Sequence, residues 1–144
     1  MKRPDWANEQ LTTNFALYEF LESRFFNEAE QERVYRDFAA LNVLHNIREL
    51  ANNLQVLRDW LGYSISINIA LRPKWYELSR GRSGTSKHVQ GIAADIVASK
   101  YSPDQVHDAI EQLIEDGKMK EGGLGSYDVF THYDLRGVKA RWRL

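Results

Sequence analysis

Two histidines and one aspartate carry most of the chemistry that this sequence could support. His88 and Asp95 lie seven residues apart in the stretch S-K-H-V-Q-G-I-A-A-D, and His132 lies in a second polar stretch over residues 122–142. Two imidazoles and one carboxylate form a three-ligand set that suits zinc and leaves a fourth position for water. A zinc ion lowers the pKa of such a water to about 7 and polarises a carbonyl group. These residue types therefore predict a hydrolytic zinc site.

Spacing alone leaves a purely structural interpretation open for the histidines. A histidine and an aspartate separated by six residues occur together often by chance, and a histidine in a strand commonly just completes a hydrogen-bond network. His45 has no second histidine three or four residues away, so we expect it to be a packed or surface residue. His107 falls opposite the apolar stripe of its segment, and we expect it to be solvated.

Amide hydrolysis at such a site also needs a base for the water's proton and a cation for the developing oxyanion. Arg72 is the candidate cation because it follows an alternating strand and precedes Pro73, which ends that strand. Asp128 and Asp134 are the nearby acids. On regular strand geometry Asp134 shares the face of His132, whereas Asp128 lies about 13 Å away unless the strand bulges. A salt bridge to a nearby arginine is the alternative role for Asp134.

Apolar periodicity, capping residues and turn signals predict the elements that position these residues. Apolar spacings of three and four predict helix from Glu28 to Leu61, either continuous or broken near residues 39–42. Since His88 and Asp95 have an odd separation, a turn or bulge at Gly91 is needed to bring them to one side. The other predicted elements are a short helix capped by Asn14, strands at 64–71, 92–98, 129–135 and 140–144, a helix at 103–116 capped by Ser102, and a glycine-rich turn at 122–125.

Composition and element order indicate one folded domain over residues 1–144, with residues 1–13 as an N-terminal arm. The N-terminal helices precede a mostly antiparallel sheet with one inserted helix, which is an α+β layout. Hydrophobic residues make up 43% of the 144 residues, a value typical of a globular chain. A net charge of −1 gives no electrostatic reason to expect binding to nucleic acid or to an anionic membrane.

Two absences narrow the class of protein further. The chain has no cysteine, which excludes disulfides, thiolate metal ligands and cysteine nucleophiles. Residues 1–10 lack the apolar segment of a secretory signal, and no apolar run approaches the length of a membrane span. We therefore expect a protein that is made and kept in the cytoplasm unless something else releases it.

Several stretches, in the same order, resemble the zinc D-alanyl-D-alanine carboxypeptidases. The pattern S-x-H-x-x-G-x-A-x-D over Ser86–Asp95 looks like the first signature of that family. The pattern G-G-x-G-x-Y…F-x-H-x-D-x-R-G…R-W over Gly122–Trp142 looks like the second signature of one branch. The stretch N-I-A-L-R-P, which contains Arg72, is similar to the family's strand ending in arginine. The fold that the resemblance implies is shared with vancomycin-resistance D,D-dipeptidases, phage L-alanyl-D-glutamate endolysins and hedgehog domains.

The resemblance also implies roles for individual residues. It makes His88, Asp95 and His132 the ligands of one zinc ion. The substrate contacts that it implies are Ser86 and Arg72. Gln90 and Tyr127 lie within the two signatures and are further candidates for substrate binding.

The general base does not carry over from the resemblance. Many relatives place it two or three residues before the last zinc histidine, where this chain has Phe130 and Val129, which cannot accept a proton. Asp134 belongs to the branch's own pattern and is either the base or an acceptor that orients an imidazole. Asp128 remains a candidate for the base if the strand is bulged.

The resemblance implies a zinc peptidase that cuts a peptide bond next to a D-amino acid in bacterial peptidoglycan. It would act as a D,D-carboxypeptidase or as an L-Ala-D-Glu endopeptidase, with the stem peptide as its partner and a monomer as its expected state. Because no secretory signal is evident, a phage lysis enzyme or a phage particle component fits this activity. The missing upstream acid favours the alternative, a non-catalytic zinc-containing binding or phage structural module on the same fold.

Overall fold

The computed structural model describes residues 2–144, and within that range it contains five α-helices and five strands. The helices are α1 (Tyr18–Leu21), α2 (Glu28–Leu41), α3 (Leu44–Leu61), α4 (Lys74–Ser79) and α5 (Pro103–Glu115). The strands are β1 (Ile65–Ile69), β2 (Ala93–Ala98), β3 (Gly123–Ser126), β4 (Thr131–Asp134) and β5 (Ala140–Arg143). They form one sheet in the order β1-β2-β4-β3-β5, in which the β3–β5 pair is parallel and the others are antiparallel. The predicted α+β fold is confirmed.

Local sequence signals determine the long helical segment and the break within it. Asn27 caps α2 in a capping box with Glu30, so that both side chains satisfy free backbone N–H groups. Asn42 adopts a left-handed conformation with φ 54° and ends α2 two residues before Leu44 begins α3. The chain therefore takes the broken form of the predicted helix. Gly62 ends α3 in the same left-handed conformation.

One hydrophobic core lies between the helices and the sheet. The apolar stripe that periodicity predicts on α3 is buried from Ile47 to Leu61, with Leu44 only partly buried, and it meets buried residues of α5 and of the central strands. Burying an aliphatic or aromatic side chain of this kind stabilises the fold by roughly 1.5–3 kcal/mol relative to leaving it in water. Members of this core from α3, α5, β2 and β4 include Ile47, Leu50, Leu54, Leu57, Ile110, Leu113, Ile96 and Tyr133.

The centre of the sheet brings two of the candidate ligands together. In the antiparallel ladder between β2 and β4, Asp95 lies directly opposite His132. On the other side of β2, the register of β1 shifts between Ile67 and Ile69, and Ile69 also pairs with Asp95. The end of β1, from which the chain continues to Arg72, therefore lies next to the same part of β2.

The N-terminal residues pack against α2. Residues Asp5–Asn8 form a short 3₁₀ turn, and Trp6 stacks on Phe38 with ring centroids 5.4 Å apart. Arg3 forms a 2.6 Å salt bridge with Glu22. Met1 lies outside the described residues, and the division into one domain with an arm over residues 1–13 stays a prediction. Among residues 2–144, no helix combines the length and apolar character that crossing a membrane requires.

Two of the predicted local elements are wrong. The first helix begins at Tyr18, and Asn14 does not cap it because its side chain is hydrogen-bonded to Gln55 of α3. Residues 122–125 do not form a turn, since β3 begins at Gly123. These glycines allow close approach of neighbouring backbone: a Cβ atom at Gly122 would lie 1.9 Å from the carbonyl oxygen of Asp134.

The expectation that His107 is solvated is also wrong. Its side chain is buried, with 4% exposure. Arg143 of β5 covers it, and the guanidinium of Arg143 lies 2.9 Å from Nδ1 of the ring. The periodicity of α5 could not reveal this burial, because the covering residue comes from a strand that returns to the sheet edge much later in the chain.

Candidate metal centre

Three side chains from two strands and one turn converge at the centre of the sheet. His132 Nδ1 lies 3.0 Å from Asp95 Oδ1, and His88 Nε2 lies 3.4 Å from the same oxygen. One donor atom from each residue can be chosen so that all three lie within 4.8 Å of one another. The structure therefore brings together the three residues that the sequence predicts as ligands.

The position of His88 depends on the turn predicted at Gly91. His88 lies on a 3₁₀ turn over Lys87–Gln90, and Gly91 leaves this turn with φ 72°, a left-handed conformation that suits glycine. The chain then enters β2, which carries Asp95. His88 Nδ1 lies 2.8 Å from the carbonyl oxygen of Ala70. Since a carbonyl can only accept, Nδ1 carries the proton and Nε2 offers its lone pair toward Asp95.

His132 is oriented by a carboxylate on the opposite side of its ring. Its Nε2 lies 2.7 Å from Asp134 Oδ2, so Nε2–H donates to that carboxylate and Nδ1 faces Asp95. Asp134 is fully buried and also accepts hydrogen bonds from the backbone N–H groups of Gly123 and Arg136 and from the Arg136 guanidinium. Of the three roles that the sequence leaves open for Asp134, this geometry favours the acceptor that orients an imidazole, and the salt bridge to an arginine is also present, at Arg136.

A cleft of about 470 Å³ opens beside these three side chains. Its wall is rich in cations and aromatic rings, and the ring of Trp142 lies 5.2 Å from that of His132 between centroids. A second cavity of about 260 Å³ adjoins it, because Arg72, Arg82, Asp95 and Phe130 line both. The residues around the larger cleft are Arg72, Arg82, Thr85, Ser86, Lys87, His88, Asp95, Tyr127, Phe130, His132, Arg136 and Trp142.

The family of the chain follows from a comparison with models of known protein families. The model described as Peptidase M15 matches residues 22–134, which include all three candidate ligands. The chain belongs to the M15 peptidase family. M15 peptidases are metal-dependent and act on peptidoglycan peptides, so this chain is a metallopeptidase with substrates of that kind. No curated protein and no solved structure shows significant similarity to it.

The donor set of this M15 peptidase fits a divalent metal ion. Each histidine has one ring nitrogen held by a partner outside the cluster, so the other is free to bind metal. Burial by itself would raise the pKa of Asp95, but the hydrogen bond from His132 and the nearby imidazole of His88 lower it well below its usual value. Burial would lower the pKa of His132, but hydrogen bonds to Asp134 and Asp95 raise it. Asp95 therefore remains an ionised ligand, and a proton on His132 is what a metal must displace.

Arg72 reaches the cleft as predicted, but a glutamate that the sequence did not single out holds it there. Arg72 Nε donates a 2.7 Å hydrogen bond to Glu77 of α4, and the Ser86 hydroxyl donates to the same carboxylate oxygen. Burial would raise the pKa of Glu77, but the hydrogen bonds from Ser86 and Arg72 lower it. Glu77 lies in a short helix among aromatic and apolar neighbours, and nothing in that pattern indicated that its carboxylate points inward.

The other predicted site residues divide into those inside the cleft and those outside it. Tyr127 lines it, and its hydroxyl oxygen accepts a 2.9 Å hydrogen bond from Trp142 Nε1. Gln90 is exposed outside it, with its backbone carbonyl bound to Asn46. Asp128 is exposed on the turn between β3 and β4, next to Tyr127 but not in the cleft wall.

Some lining residues were missed by sequence reasoning. Arg82 and Thr85 lie in the loop before Ser86, and Lys87 begins the 3₁₀ turn that carries His88. Their closeness in sequence to Ser86, a predicted substrate contact, is the feature that could have identified them as cleft residues. Phe130 was noted only because it stands where relatives carry a base, and Trp142 only as part of the second signature.

Proposed function

We propose that this M15 peptidase is a zinc enzyme that hydrolyses a peptide bond next to a D-amino acid in the peptidoglycan stem peptide. The bond is either D-Ala-D-Ala, cut by a carboxypeptidase, or L-Ala-D-Glu, cut by an endopeptidase such as a phage lysis enzyme. The observation that carries the proposal is the convergence of His88, Asp95 and His132 beside an open cleft, with each imidazole oriented by a second partner.

The three side chains would hold the ion through His88 Nε2, Asp95 Oδ1 and His132 Nδ1. Two imidazoles and one carboxylate leave a coordination position free, which is the pattern of catalytic rather than structural zinc sites. A bound zinc ion supplies a water of lowered pKa and polarises the carbonyl of the scissile bond. Ala70 and Asp134 keep the two imidazoles in the tautomers that this ligand set requires.

The cleft supplies the groups that would bind the peptide. Arg72 offers a planar guanidinium, which matches a carboxylate or an oxyanion through two parallel hydrogen bonds. The Tyr127 hydroxyl accepts from Trp142, so its own proton is available to a substrate carbonyl. Arg82 and Lys87 add positive charge to the same wall, which suits a stem peptide rich in carboxylates.

The general base is assigned to Asp128. Among residues 2–144, Asp95 is the only carboxylate in the wall of the larger cleft, and it belongs to the ligand set. Both oxygens of Asp134 are occupied by hydrogen bonds on the far side of His132. Asp128 lies on the four-residue turn over 127–130, whose first and last members line the cleft, so a change of that turn could bring its carboxylate to the substrate.

The test uses the purified protein loaded with one zinc ion and incubated with intact peptidoglycan and with defined stem peptides. Mass spectrometry of the products identifies the bond that is cut, and His132→Ala and chelator-treated protein are the controls. Zinc-dependent release of D-alanine or of an L-alanine terminus supports the proposal. Because no carboxylate of the described part of the chain lines the cleft apart from the candidate ligand Asp95, a binding module is the alternative. Zinc-dependent binding of stem peptide without cleavage would support that module instead of the enzyme.

A further inference from the structure

Glu77 is a buried carboxylate that the metal centre does not use. Its exposure is 1%, and it comes from α4, which follows β1 and precedes the loop to His88. Its Oε2 accepts hydrogen bonds from Arg72 Nε and from the Ser86 hydroxyl, and Oε1 lies 3.5 Å from the Ser86 backbone nitrogen. One side chain thus links three segments of the cleft wall.

The two partners of Glu77 are both placed next to a metal ligand. Ser86 precedes His88 by two residues, and the backbone N–H of Arg72 donates a 3.1 Å hydrogen bond to the carbonyl oxygen of His88. Glu77 therefore fixes the position of Arg72 relative to His88 through side chains, in addition to this backbone link. A displacement of Glu77 would move the guanidinium within the cleft without removing any metal ligand.

The geometry at Arg72 leaves its outer nitrogens available. The salt bridge to Glu77 uses Nε, and within residues 2–144 no hydrogen bond from Nη1 or Nη2 of Arg72 is formed. A guanidinium has five N–H donors in one plane, and one Nη–H lies beside Nε–H on the edge that faces Glu77, so the other three donors remain for a ligand. Arg72 lines both cavities that meet at Asp95, so it borders the space that a substrate would enter.

Charge explains why a glutamate suits this position. A guanidinium in a mostly buried site is costly to desolvate unless an opposite charge lies against it. Glu77 supplies that charge at 2.7 Å, and the Ser86 hydroxyl satisfies the same carboxylate oxygen. An amide in place of the carboxylate could keep the shape of the contact, but it would replace a charge-assisted hydrogen bond by a neutral one of about half the strength.

We propose that Glu77 is a positioning residue, which acts through Arg72 by aiming the guanidinium fork at a carboxylate or oxyanion of the peptide. This inference rests on the proposed function for its kinetic consequences. The hydrogen bond from Arg72 to Glu77, called the clamp below, is a property of the folded protein. The inference predicts that replacing Glu77 lowers kcat/KM only when Arg72 is present.

The kinetic test is a double-mutant cycle on the zinc-loaded protein, with Glu77→Gln, Arg72→Met and the double variant. Glu77→Gln should lower kcat/KM about 10-fold with unchanged zinc content, because the charge-assisted contact to Arg72 is weakened. In the Arg72→Met background the same change should have no further effect. Glu9→Gln is the matched control, since it removes an exposed salt bridge to Arg48 and should leave kcat/KM unchanged.

A spectroscopic test does not depend on any activity. The Nε–Hε signal of Arg72, assigned by its absence in Arg72→Met, should lie downfield in the wild-type protein and move upfield in Glu77→Gln. An unmoved signal overturns the clamp, whether or not the protein cleaves peptides. If the signal moves but Glu77→Gln lowers kcat/KM equally in both backgrounds, Glu77 does not act through Arg72. If the wild-type protein cleaves no stem peptide while the signal moves as expected, the proposed function fails and the clamp stands.

Discussion

The imidazole of His132 is held between two carboxylates, with Nε2 2.7 Å from Asp134 Oδ2 and Nδ1 3.0 Å from Asp95 Oδ1. The two carboxylates are not equivalent. Asp134 is fully buried and takes further hydrogen bonds from Arg136 and Gly123, whereas Asp95 is half-buried and lines the cleft. The ring therefore has one side fixed by the protein and one side available for a metal ion.

Asp134→Asn should weaken zinc binding about 10- to 100-fold, the usual effect of losing a partner that orients a metal-binding imidazole. Asparagine can present its NH2 group to Nε2, which would favour the wrong tautomer of His132. Competition with a chelator of known affinity measures the change. At saturating zinc the variant should keep most of its turnover. Normal zinc affinity combined with a turnover about 100-fold lower would instead make Asp134 the base.

Asp128→Asn should retain zinc and lower turnover about 100-fold, within the usual range of general acid–base catalysis. The reason is that Asp128 is an exposed acid next to Tyr127 of the cleft wall, whereas Asp95 is a candidate ligand and the carboxylates of Asp134 and Glu77 are held by other hydrogen bonds. Steady-state cleavage of a stem peptide, with zinc content checked for each sample, measures this. Wild-type turnover in Asp128→Asn would remove it from the mechanism.

The ligand assignment predicts a contrast between the candidate ligand histidines and His45. His88→Ala and His132→Ala, like Asp95→Ala, should lose stoichiometric zinc, whereas the exposed His45 should be replaceable by alanine without loss. Zinc at 100 times its Kd should also stabilise the wild-type protein by about 2.7 kcal/mol and leave the ligand variants unchanged. Elemental analysis and thermal unfolding with and without zinc measure both effects. Full zinc occupancy in His132→Ala would contradict the ligand assignment.

Glu77 should contribute to the loss of stability in acid. Because its pKa is lowered in the folded protein, the unfolded chain binds a proton at a higher pH than the folded chain does. The stabilisation is thus complete above the unfolded-state pKa of about 4.3 and is lost as the pH falls through the folded-state value. In Glu77→Gln, the free energy of unfolding should fall less steeply below about pH 5. Urea unfolding of both metal-free proteins measures this, and parallel curves would contradict it.

Gly122→Ala should be among the most disruptive small substitutions in the chain. The added Cβ would lie 1.9 Å from the carbonyl oxygen of Asp134, and backbone cannot move aside without disturbing β4. We expect a loss of about 3 kcal/mol, the upper end for overpacking. Gly117→Ala is the control, since its Cβ would meet nothing within 4 Å and only its φ of 74° is unfavourable. Denaturant unfolding compares the two, and equal losses would show that the contact at Gly122 relaxes easily.

Elements with strong local signals could be predicted from the sequence. α5 has a capping box at Ser102, proline at its first position and a regular apolar stripe, and its predicted range agrees with the structure to within one residue. The sequence leaves the break before α3 open, because the decisive feature is the left-handed conformation of Asn42, which composition permits but does not require. It predicts a turn at Gly122 and Gly123, because it does not show that Asp134 packs against them.

The sequence predicts which residues form the candidate site better than it predicts how their side chains are oriented. Two imidazoles and a carboxylate indicated a metal, and the structure brings those three side chains together. The face shared by His132 and Asp134 was also predicted from strand parity and is confirmed by their hydrogen bond. Which side of the imidazole faces the metal, and that Glu77 turns inward to Arg72, depend on tertiary contacts between distant segments that no local pattern encodes.

The register of Asp95 against His132 also has a kinetic consequence. A metal ion shared by His88, Asp95 and His132 closes a loop of chain that contains all of α5 and β3. Such a closure joins the two strands in the folded protein, and β2 cannot separate from β4 until a ligand dissociates from the metal. The lifetime of the folded, metal-loaded protein is then governed by the rate of ligand release, so metal should slow unfolding far more than it speeds folding.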